Sequence, residues 1–354
     1  MHDRELPAAF PPEAVHMLRD PESGLEGVIV LHSTRLGPAA GGCRLWRYPA
    51  TGAMTHDALR LAEGMAYKNA MADLPLGGGK AVINAPLGNF DRAKLFAAFG
   101  REVEKLKGEY VTAEDVGTSV DDMQAVRGET RHVAGLAATE GRPGGDPSPW
   151  TALGVFVAMQ EAVRRKLGTD LEGLTVAVQG LGHVGSVLCG LLHEAGANLI
   201  VAEPRSDVAA RVACRYDAVV ANPRTIVEAQ CDVFAPCALG AVLNERSVPN
   251  LRAPVVCGAA NNVLATDEDG DLLAERGVLY APDYVVNAGG IINVCAEYLG
   301  WSLDEVDQRV RATGERLAAV LNYAHTHNLP PHLAADALAR ARVAAGKKLG
   351  RKAA

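Results

Sequence analysis

Apolar and polar residues alternate along the chain in short blocks that predict strands and helices in turn. In the first part, apolar runs at residues 27–32, 80–83 and 109–112 predict strands. Residues 56–73 and 92–105 carry apolar positions at helical spacing and predict amphipathic helices. This part of the chain is therefore predicted to be α/β.

From residue 174 onward the alternation becomes regular. Helices are predicted over residues 183–195 and from about residue 207. Short apolar runs predict strands at residues 174–179, 198–202, 233–235, 255–257 and 278–280. Strands that alternate with helices at this spacing form a parallel sheet with crossover helices. We therefore predict two α/β domains, the second of which is a doubly wound Rossmann domain.

A stretch rich in glycine and proline separates the two parts at residues 141–149. Its repeated Gly and Pro interruptions are incompatible with a helix interior or a central strand. The stretch predicts a loop and a domain boundary.

Composition narrows the class of protein. The chain has 35 Lys+Arg against 42 Asp+Glu, a net charge of −7, and so lacks the cationic surface of a nucleic-acid or anionic-membrane binder. No apolar run approaches the ~18 residues that span a bilayer, and the charged start predicts no secretory signal. The seven cysteines contain no C-x-x-C pair and predict small buried side chains in a reducing cytoplasm. No metal site is predicted.

A glycine-rich turn follows the predicted strand at residues 174–179. Gly180, Gly182 and Gly185 form a G-x-G-x-x-G pattern with a predicted helix behind it. The pattern predicts that backbone N–H groups at the helix N-terminus bind a dinucleotide pyrophosphate; a turn that serves packing alone is the alternative. Glu203, at the end of the next predicted strand, would bind ribose hydroxyls and favour NAD over NADP. Arg205 could compensate a 2′-phosphate, so it leaves that preference open.

Three charged residues in the first part point to chemistry. Lys68 lies on the apolar stripe of the predicted helix at 56–73, where a snorkelling lysine is the alternative. Lys80 begins a predicted buried strand directly after three glycines; an exposed loop lysine is the alternative. Asp115 follows a predicted strand end, where ligands of α/β proteins collect, or else caps the next helix.

Two lysines and a carboxylate beside a nicotinamide suggest oxidation of a carbon that carries an amine and a carboxylate. One lysine can pair with the substrate carboxylate, and the other, buried beside the first charge, can take up protons at neutral pH. A 2-hydroxy acid dehydrogenase would centre on a His base beside a carboxylate, and no His stands in such a context. A regulatory NAD-binding protein would have no reason to combine the three residues.

Several motifs resemble those of the Glu/Leu/Phe/Val amino-acid dehydrogenases. They lie at residues 36–44, 64–70, 76–80, 110–118, 236–240, 258–262 and 280–290, and the resemblance covers about residues 12–340. It implies a substrate domain at residues 1–140, joined by C-terminal helices at about 325–354, and an NAD-binding Rossmann domain at 141–324. It also implies an active site in the cleft between them and a homo-oligomer.

The resemblance gives roles to individual residues. Lys80 matches the family's general base, Asp115 its assisting acid and Lys68 its carboxylate-binding lysine. The implied substrate contacts are Gly41, Gly42, Ala40, Met65, Ala113, Asn262, Ile291 and Val294. The implied cofactor contacts are Gly180, Gly182, His183, Val184, Gly185, Glu203, Arg205, Ala238, Asn262 and Asn287. The family usually has Asn in place of His183, and this change can alter cofactor affinity.

The implied reaction is the reversible NAD-dependent oxidative deamination of an L-amino acid to a 2-oxo acid and ammonia. Apolar Met65, Ala113, Ile291 and Val294 offer no partner to a side-chain carboxylate and favour a branched-chain substrate, leucine together with valine and isoleucine. Ala40 stands where leucine-acting members commonly have Leu, which would make room for a larger side chain. An enzyme of the same family that prefers phenylalanine or valine is the alternative.

Overall fold

The computed structural model describes residues 10–137 and 139–346, and the chain divides into two units. The first unit is Met1–Gly145, Asn293–Val306 and Ala337–Ala354, and the second is Asp146–Ile292 and Asp307–Asp336. The chain thus returns to the first unit twice, whereas the sequence predicts a single return at about residue 325. Both units are α/β, as predicted.

The first unit is built on a mixed sheet. Its strands are β1 (Ala14–Asp20), β2 (Leu25–Ser33), β3 (Ala39–Ala40), β4 (Cys43–Trp46), β5 (Gly77–Asn84) and β6 (Tyr110–Val111). The order is β1-β2-β5-β3-β6, and β4 also pairs with β5. The pairs β1–β2 and β2–β5 are antiparallel, whereas β3, β4 and β6 pair in parallel. The sequence pattern does not predict β1, because apolar side chains lie on both of its faces and its residues show no contrast of period two.

Helices cover both faces of this sheet. They are α1 (Thr51–Met71), α2 (Arg92–Lys105) and α3 (Val120–Arg127). The α1 face is an apolar cluster that includes Val28, Val30, Met54, Ala58, Ala62 and Val82. The opposite face joins the sheet to α2 and α3 in a cluster that includes Ile29, Ala81, Ile83, Phe96, Phe99 and Met123. The α2 bounds match the prediction, while α1 starts earlier, at Thr51 rather than residue 56.

The glycines before Lys80 lie inside β5 rather than in a loop ahead of it. A Cβ atom at Gly77 would lie 1.9 Å from the Ser33 carbonyl oxygen, and one at Gly78 would lie 2.2 Å from the Ala66 backbone nitrogen. These glycines therefore permit the close approach of β2 and α1 to β5. They serve packing inside the strand, whereas the sequence predicts a strand that begins after them, at Lys80.

The second unit is built on a parallel sheet. Its strands are β7 (Thr175–Gln179), β8 (Asn198–Ala202), β9 (Val219–Val220), β10 (Val233–Pro236), β11 (Val255–Val256) and β12 (Leu279–Tyr280). All their pairings are parallel, in the order β12-β11-β10-β7-β8-β9. The chain runs outward from β7 in one direction and then from β10 in the other, which is the doubly wound Rossmann order. The predicted fold class is confirmed.

The remaining helices complete the two units. They are α4 (Ser148–Leu167), α5 (His183–Glu194), α6 (Ser206–Tyr216), α7 (Asp267–Glu275), α8 (Asp283–Val286), α9 (Gly289–Leu299), α10 (Leu303–Arg311), α11 (Thr313–His327) and α12 (Pro331–Ala345). The sequence analysis missed α4. This helix packs against both α5 and α11, so its apolar residues are not confined to one stripe. None of the described helices is long and apolar enough to cross a membrane.

The seven cysteines are all free thiols. Five are buried and Cys237 is partly buried, but Cys214 is exposed. The prediction that all of them are buried is therefore wrong for Cys214, which lies on the solvent side of α6. Residue type alone does not show on which face of an amphipathic helix a cysteine lies.

Candidate active site

The first unit brings Lys80 and Asp115 into contact. Lys80 Nζ lies 3.0 Å from Asp115 Oδ2, and the Lys80 side chain is 6% exposed. Strand alternation places Lys80 on the same face of β5 as Gly78 and Val82, the face that α1 covers. This burial rules out an exposed loop lysine.

Asp115 is held in the segment that follows β6. Its backbone N–H donates to Thr118 Oγ1 at 2.9 Å, and the Thr118 hydroxyl donates back to the Asp115 carbonyl at 2.8 Å. The N-cap of α3 is Ser119, which forms a capping box with Asp122. Asp115 is therefore not the helix cap, and its side chain is directed to Lys80.

Arg44 is a second cation at this carboxylate, and the sequence analysis assigned it no role. Arg44 Nε donates to Asp115 Oδ2 at 3.1 Å, and Arg44 Nη1 donates to Asp57 Oδ2 at 3.1 Å. Burial raises the pKa of the Asp115 carboxyl, but the charges of Lys80 and Arg44 outweigh it and hold that pKa below its usual value. The sequence signal that could have identified Arg44 was a charged residue in a short strand directly after Gly41 and Gly42.

Gly41 and Gly42 lie between β3 and β4, close to Met65 and Asp115. A Cβ at Gly41 would lie 1.9 Å from the Gly79 carbonyl oxygen and 3.1 Å from Met65 Cγ. A Cβ at Gly42 would lie 2.8 Å from Asp115 Cβ. Both positions therefore require glycine for packing alone, and the same absence of side chains brings the backbone next to Met65 and Asp115.

Ala40 and Lys68 are placed by the end of α1. Asn69 Nδ2 donates to the Gly77 carbonyl at 2.6 Å and to the Ala40 carbonyl at 3.3 Å, so this buried amide ties α1 to β3 and β5. Lys68 precedes it in the last helical turn and lies one turn beyond Met65. Asn69 is a second residue to which the sequence analysis gave no role.

The apolar stripe predicted through Lys68 is displaced in the structure. The fully buried face of α1 runs through Ala58, Ala62, Ala66 and Ala70, because small residues let the helix lie close to β5. Leu61, Met65 and Lys68 are half-buried at its edge. A half-buried lysine can present its amine to a ligand without leaving the helix.

Three further predicted pocket residues have simpler surroundings. Ala113 is buried, and its carbonyl accepts from the Cys43 N–H at 2.8 Å. Ile291 and Val294 are half-buried and one turn apart on α9. Their contact with a substrate stays a prediction.

The glycine turn of the second unit adopts a tight geometry. Gly180 has φ +91°, and a Cβ there would lie 2.8 Å from Ala238 Cβ. A Cβ at Gly185 would lie 2.0 Å from the Gly180 carbonyl oxygen, so α5 packs directly onto the turn. Gly182 is the N-cap of α5 and has open space around its Cα. The turn thus leaves the helix N-terminus accessible to an anion. Next along α5, His183 is exposed and Val184 is half-buried.

Glu203 links the turn to the next strand. Its Oε2 accepts from the Leu181 N–H at 3.0 Å, and its Oε1 accepts from Arg205 Nε at 2.8 Å. The hydrogen bond from Arg205 lowers the pKa of the Glu203 carboxyl. Arg205 is therefore engaged by Glu203 in this structure, and both residues lie beside the glycine turn.

Asn287 offers a hydrogen-bond acceptor that the protein does not use. Its Nδ2 donates to Asn261 Oδ1 at 2.9 Å, whereas its buried Oδ1 has no hydrogen-bond partner among the described residues. The neighbouring Asn262 has φ +51°, and its carbonyl accepts from the Ala241 N–H at 2.7 Å. A buried amide oxygen without a partner is costly, and a carboxamide donor such as that of nicotinamide would satisfy it.

A Rossmann sheet with a glycine turn at a helix N-terminus defines the dinucleotide-binding class of α/β proteins. Comparison with known sequences is more specific. The chain matches the models for Glu/Leu/Phe/Val dehydrogenase, dimerisation domain, over residues 12–132 and for Glutamate/Leucine/Phenylalanine/Valine dehydrogenase over residues 146–211 and 201–350. The chain belongs to this family of amino-acid dehydrogenases. A nicotinamide cofactor is consistent with that class.

Individual relatives cover almost the whole chain. Leucine dehydrogenase of Thermoactinomyces intermedius is 45% identical over 94% of this chain and 90% of its own. Valine dehydrogenase of Streptomyces coelicolor is 44% identical over 94% of this chain and 92% of its own. The crystal structure of L-tryptophan dehydrogenase from Nostoc punctiforme superimposes with a TM-score of 0.85 at 38% identity, covering 95% of this chain and 97% of that one.

Proposed function

We propose that this protein catalyses the reversible NAD-dependent oxidative deamination of branched-chain L-amino acids, leucine together with valine and isoleucine. The observation that carries the proposal is the buried ion pair of Lys80 and Asp115, 3.0 Å apart, in a chain of this family. The relatives named leucine dehydrogenase support the choice of substrate. The 2-oxo acid and ammonia are the products.

Lys68 binds the substrate carboxylate in this proposal. It lies at the edge of the buried face of α1, one turn beyond Met65, whose side chain lies beside Gly41. An ammonium at that edge can reach a ligand while its alkyl stem packs on the helix. Gly41 and Gly42, which carry no side chains, give the substrate backbone access to β3.

Lys80 acts as the general base and Asp115 assists it. NAD, when bound, supplies the acceptor for the hydride that leaves the substrate Cα. Lys80 removes a proton from the water that attacks the resulting imine carbon, and Asp115 passes a proton to the amine as the carbinolamine collapses. The 3.0 Å separation of Lys80 Nζ and Asp115 Oδ2 is within reach for proton exchange between them.

The second unit supplies the residues that would hold NAD. The N–H groups at Gly182, His183 and Val184 begin α5 and would bind the pyrophosphate. Glu203 would accept from the ribose hydroxyls through its remaining lone pairs. Asn287 Oδ1 would accept from the carboxamide. Ala238, which lies against Gly180, and Asn262 would supply further cofactor contacts.

Arg205 bears on the choice between NAD and NADP. Because it is paired with Glu203, it partly offsets the charge that would repel a 2′-phosphate. Glu203 is the less exposed partner, because its side chain is 9% exposed against 62% for Arg205. The carboxylate, rather than the guanidinium, is therefore expected to determine which cofactor binds. We infer a preference for NAD.

A preference for valine or for an aromatic amino acid is the second candidate. Relatives named valine dehydrogenase and L-tryptophan dehydrogenase favour it, as does the small side chain of Ala40. Ala39 packs in the core on the α2 face, so the adjacent Ala40 side chain points to the α1 face together with Lys80. Ala40→Leu is expected to lower kcat/KM for bulky substrates about 10-fold or more relative to valine. Equal effects on all substrates would remove Ala40 from the pocket.

We also infer an oligomer and a cytoplasmic location. The matched N-terminal model is described as a dimerisation domain, and β1 is a terminal strand of its sheet with Val15 and Met17 exposed. An edge strand with apolar residues favours association. Seven free cysteines suit a reducing compartment. Sedimentation analysis tests the first inference.

A substrate panel tests the proposed activity. NADH formation is measured with L-leucine, L-valine, L-isoleucine, L-phenylalanine, L-tryptophan, L-glutamate and L-lactate, and repeated with NADP. The highest kcat/KM is expected for a branched-chain amino acid with NAD. A higher value for phenylalanine or tryptophan would establish the second candidate. No turnover of any amino acid, with NAD binding intact, would refute both.

A further inference from the structure

One oxygen of Asp115 carries both cationic partners of this carboxylate. Lys80 Nζ and Arg44 Nε lie 3.0 Å and 3.1 Å from Oδ2. The other oxygen, Oδ1, has no hydrogen-bond partner within the part of the chain that the structure describes. Because both cations contact Oδ2, Oδ1 is left available to the reacting groups.

Arg44 is itself anchored on its far side. Its Nη1 donates to Asp57 Oδ2 at 3.1 Å, and the Tyr48 hydroxyl donates to the same oxygen at 2.6 Å. Arg60 Nη2 occupies the other Asp57 oxygen at 3.1 Å. Arg44 therefore bridges two carboxylates, with one end on α1 and the other at the catalytic pair.

The two cations differ in what happens to them during the reaction. In the proposed function, on which this inference rests, Lys80 must be without its proton when it accepts one from water. At that moment Asp115 would lose its only counter-ion if Lys80 were alone, and a buried carboxylate without a counter-ion takes up a proton. Arg44 keeps its charge at any working pH.

We propose that Arg44 is a positioning residue that keeps Asp115 charged and oriented while Lys80 is deprotonated. Asp115 is then unprotonated when Lys80 takes a proton from water, so it can receive that proton from Lys80 and deliver it to the leaving amine. In this role Arg44 contacts neither the attacking water nor the substrate and acts through Asp115.

The other titratable groups near Asp115 cannot replace Arg44. Cys43 and Tyr110 are the further groups whose charges would interact with it. Burial raises the pKa of both the thiol and the phenol, so both are neutral near pH 7. Asp57 reaches the site only through Arg44, and an additional negative charge there would oppose the ionisation of Asp115.

Chemical rescue tests the proposal in the full-length protein. Arg44→Ala is expected to lower kcat for leucine by about 10- to 100-fold, because a displaced catalytic group is costly, while the KM for NAD stays unchanged. Guanidinium chloride at millimolar concentration is expected to restore a substantial part of kcat, and tetramethylammonium chloride is not. Arg44→Lys should retain more activity than Arg44→Ala. Loss of kcat without rescue by guanidinium or by lysine would overturn the proposal.

Arg60→Ala is the matched control, because Arg60 contacts Asp57 and not Asp115. It is expected to keep wild-type kcat and to show no response to guanidinium. In Asp57→Asn, Asp115 is the remaining carboxylate partner of Arg44, so Asp115 is expected to stay ionised to lower pH. Arg44→Ala is expected to shift the ionisation of Asp115 in the opposite direction. A shift in the same direction for Asp57→Asn and Arg44→Ala would mean a general structural disturbance and would contradict the proposal.

A direct titration separates this inference from the proposed activity. The carboxyl ¹³C signal of Asp115, assigned by its loss in Asp115→Asn, is followed with pH in the wild type and in Arg44→Gln. Titration at higher pH in Arg44→Gln supports the charge relationship even if no amino acid is turned over, an outcome in which only the activity fails. An unchanged titration in an active enzyme would refute the inference alone.

Discussion

Lys80 Nζ and Asp115 Oδ2 lie 3.0 Å apart, with the lysine in a central strand and the aspartate in the segment after another strand. The pair is asymmetric, because Lys80 is almost fully buried whereas Asp115 is partly exposed, at 6% and 23%. A buried base next to a more accessible carboxylate can pass protons outward without admitting bulk water to the base.

Removal of Lys80, the proposed base, should lower turnover strongly while leaving the cofactor site intact. Lys80→Ala is expected to lower kcat by about 100-fold or more, since no other described lysine contacts Asp115. NAD affinity, measured by fluorescence quenching, should stay at the wild-type value. Lys94→Ala, an exposed lysine on α2, is the control. Near-normal turnover by Lys80→Ala would exclude its role as the base.

Loss of Lys68, the lysine proposed to bind the substrate carboxylate, should affect substrate binding more than the chemical step. Lys68→Ala is expected to raise the KM of the amino acid about 10-fold or more, with a smaller change in kcat. Lys105, in the last turn of α2 and paired with Glu102, gives the matched control Lys105→Ala. If the KM of Lys68→Ala equals that of the wild type, Lys68 only covers the edge of the helix.

The ionisation of Asp115 should make its contribution to stability depend on pH. Its folded pKa lies below the usual value, so this contribution is present above the unfolded value of about 3.9 and is lost as pH falls through the folded pKa. Asp115→Asn is expected to lower the free energy of unfolding by about 1–3 kcal/mol at pH 7.

Urea unfolding at pH 7 and pH 3 measures this dependence. The difference between wild type and Asp115→Asn should narrow as pH falls from 7 to 3, because the unfolded carboxyl takes up its proton below about 3.9, at higher pH than the folded one. Asp170→Asn is the control, because Asp170 is 86% exposed and should change stability little at either pH. A difference of the same size at pH 3 would mean that the ion pairs of Asp115 do not stabilise the fold.

Glu203 should control both the glycine turn and the choice of cofactor. Glu203→Ala removes the acceptor of the Leu181 N–H and frees Arg205. The ratio of kcat/KM for NAD to that for NADP is therefore expected to fall about 10-fold or more, since a free guanidinium pairs well with a 2′-phosphate. Asp207→Ala, at an exposed carboxylate near the start of α6, should leave the ratio unchanged. An unaltered ratio in Glu203→Ala would show that neither residue selects the cofactor.

Local patterns account for the features that the sequence by itself determined. Residues 92–105 form a helix with the predicted bounds, because the apolar spacing that predicts it lies within the segment. The Asp91 cap, which accepts from the Lys94 N–H, directly precedes it. The Rossmann order follows from regular strand–helix alternation, and the glycine turn follows from its own spacing. Each of these signals depends on residues that are close together in the chain.

The tertiary structure alone decided the rest, because contacts between distant segments leave no period in the sequence. Antiparallel β1 is specified by its pairing with β2, and the glycines of β5 by the close approach of Ser33 and Ala66. Arg44 acquires its place only when α1 and the segment after β6 bring two carboxylates to the guanidinium on β4. The unused acceptor of Asn287 is likewise defined by the loop that surrounds it, since burial rather than residue type leaves this oxygen without a partner among the described residues.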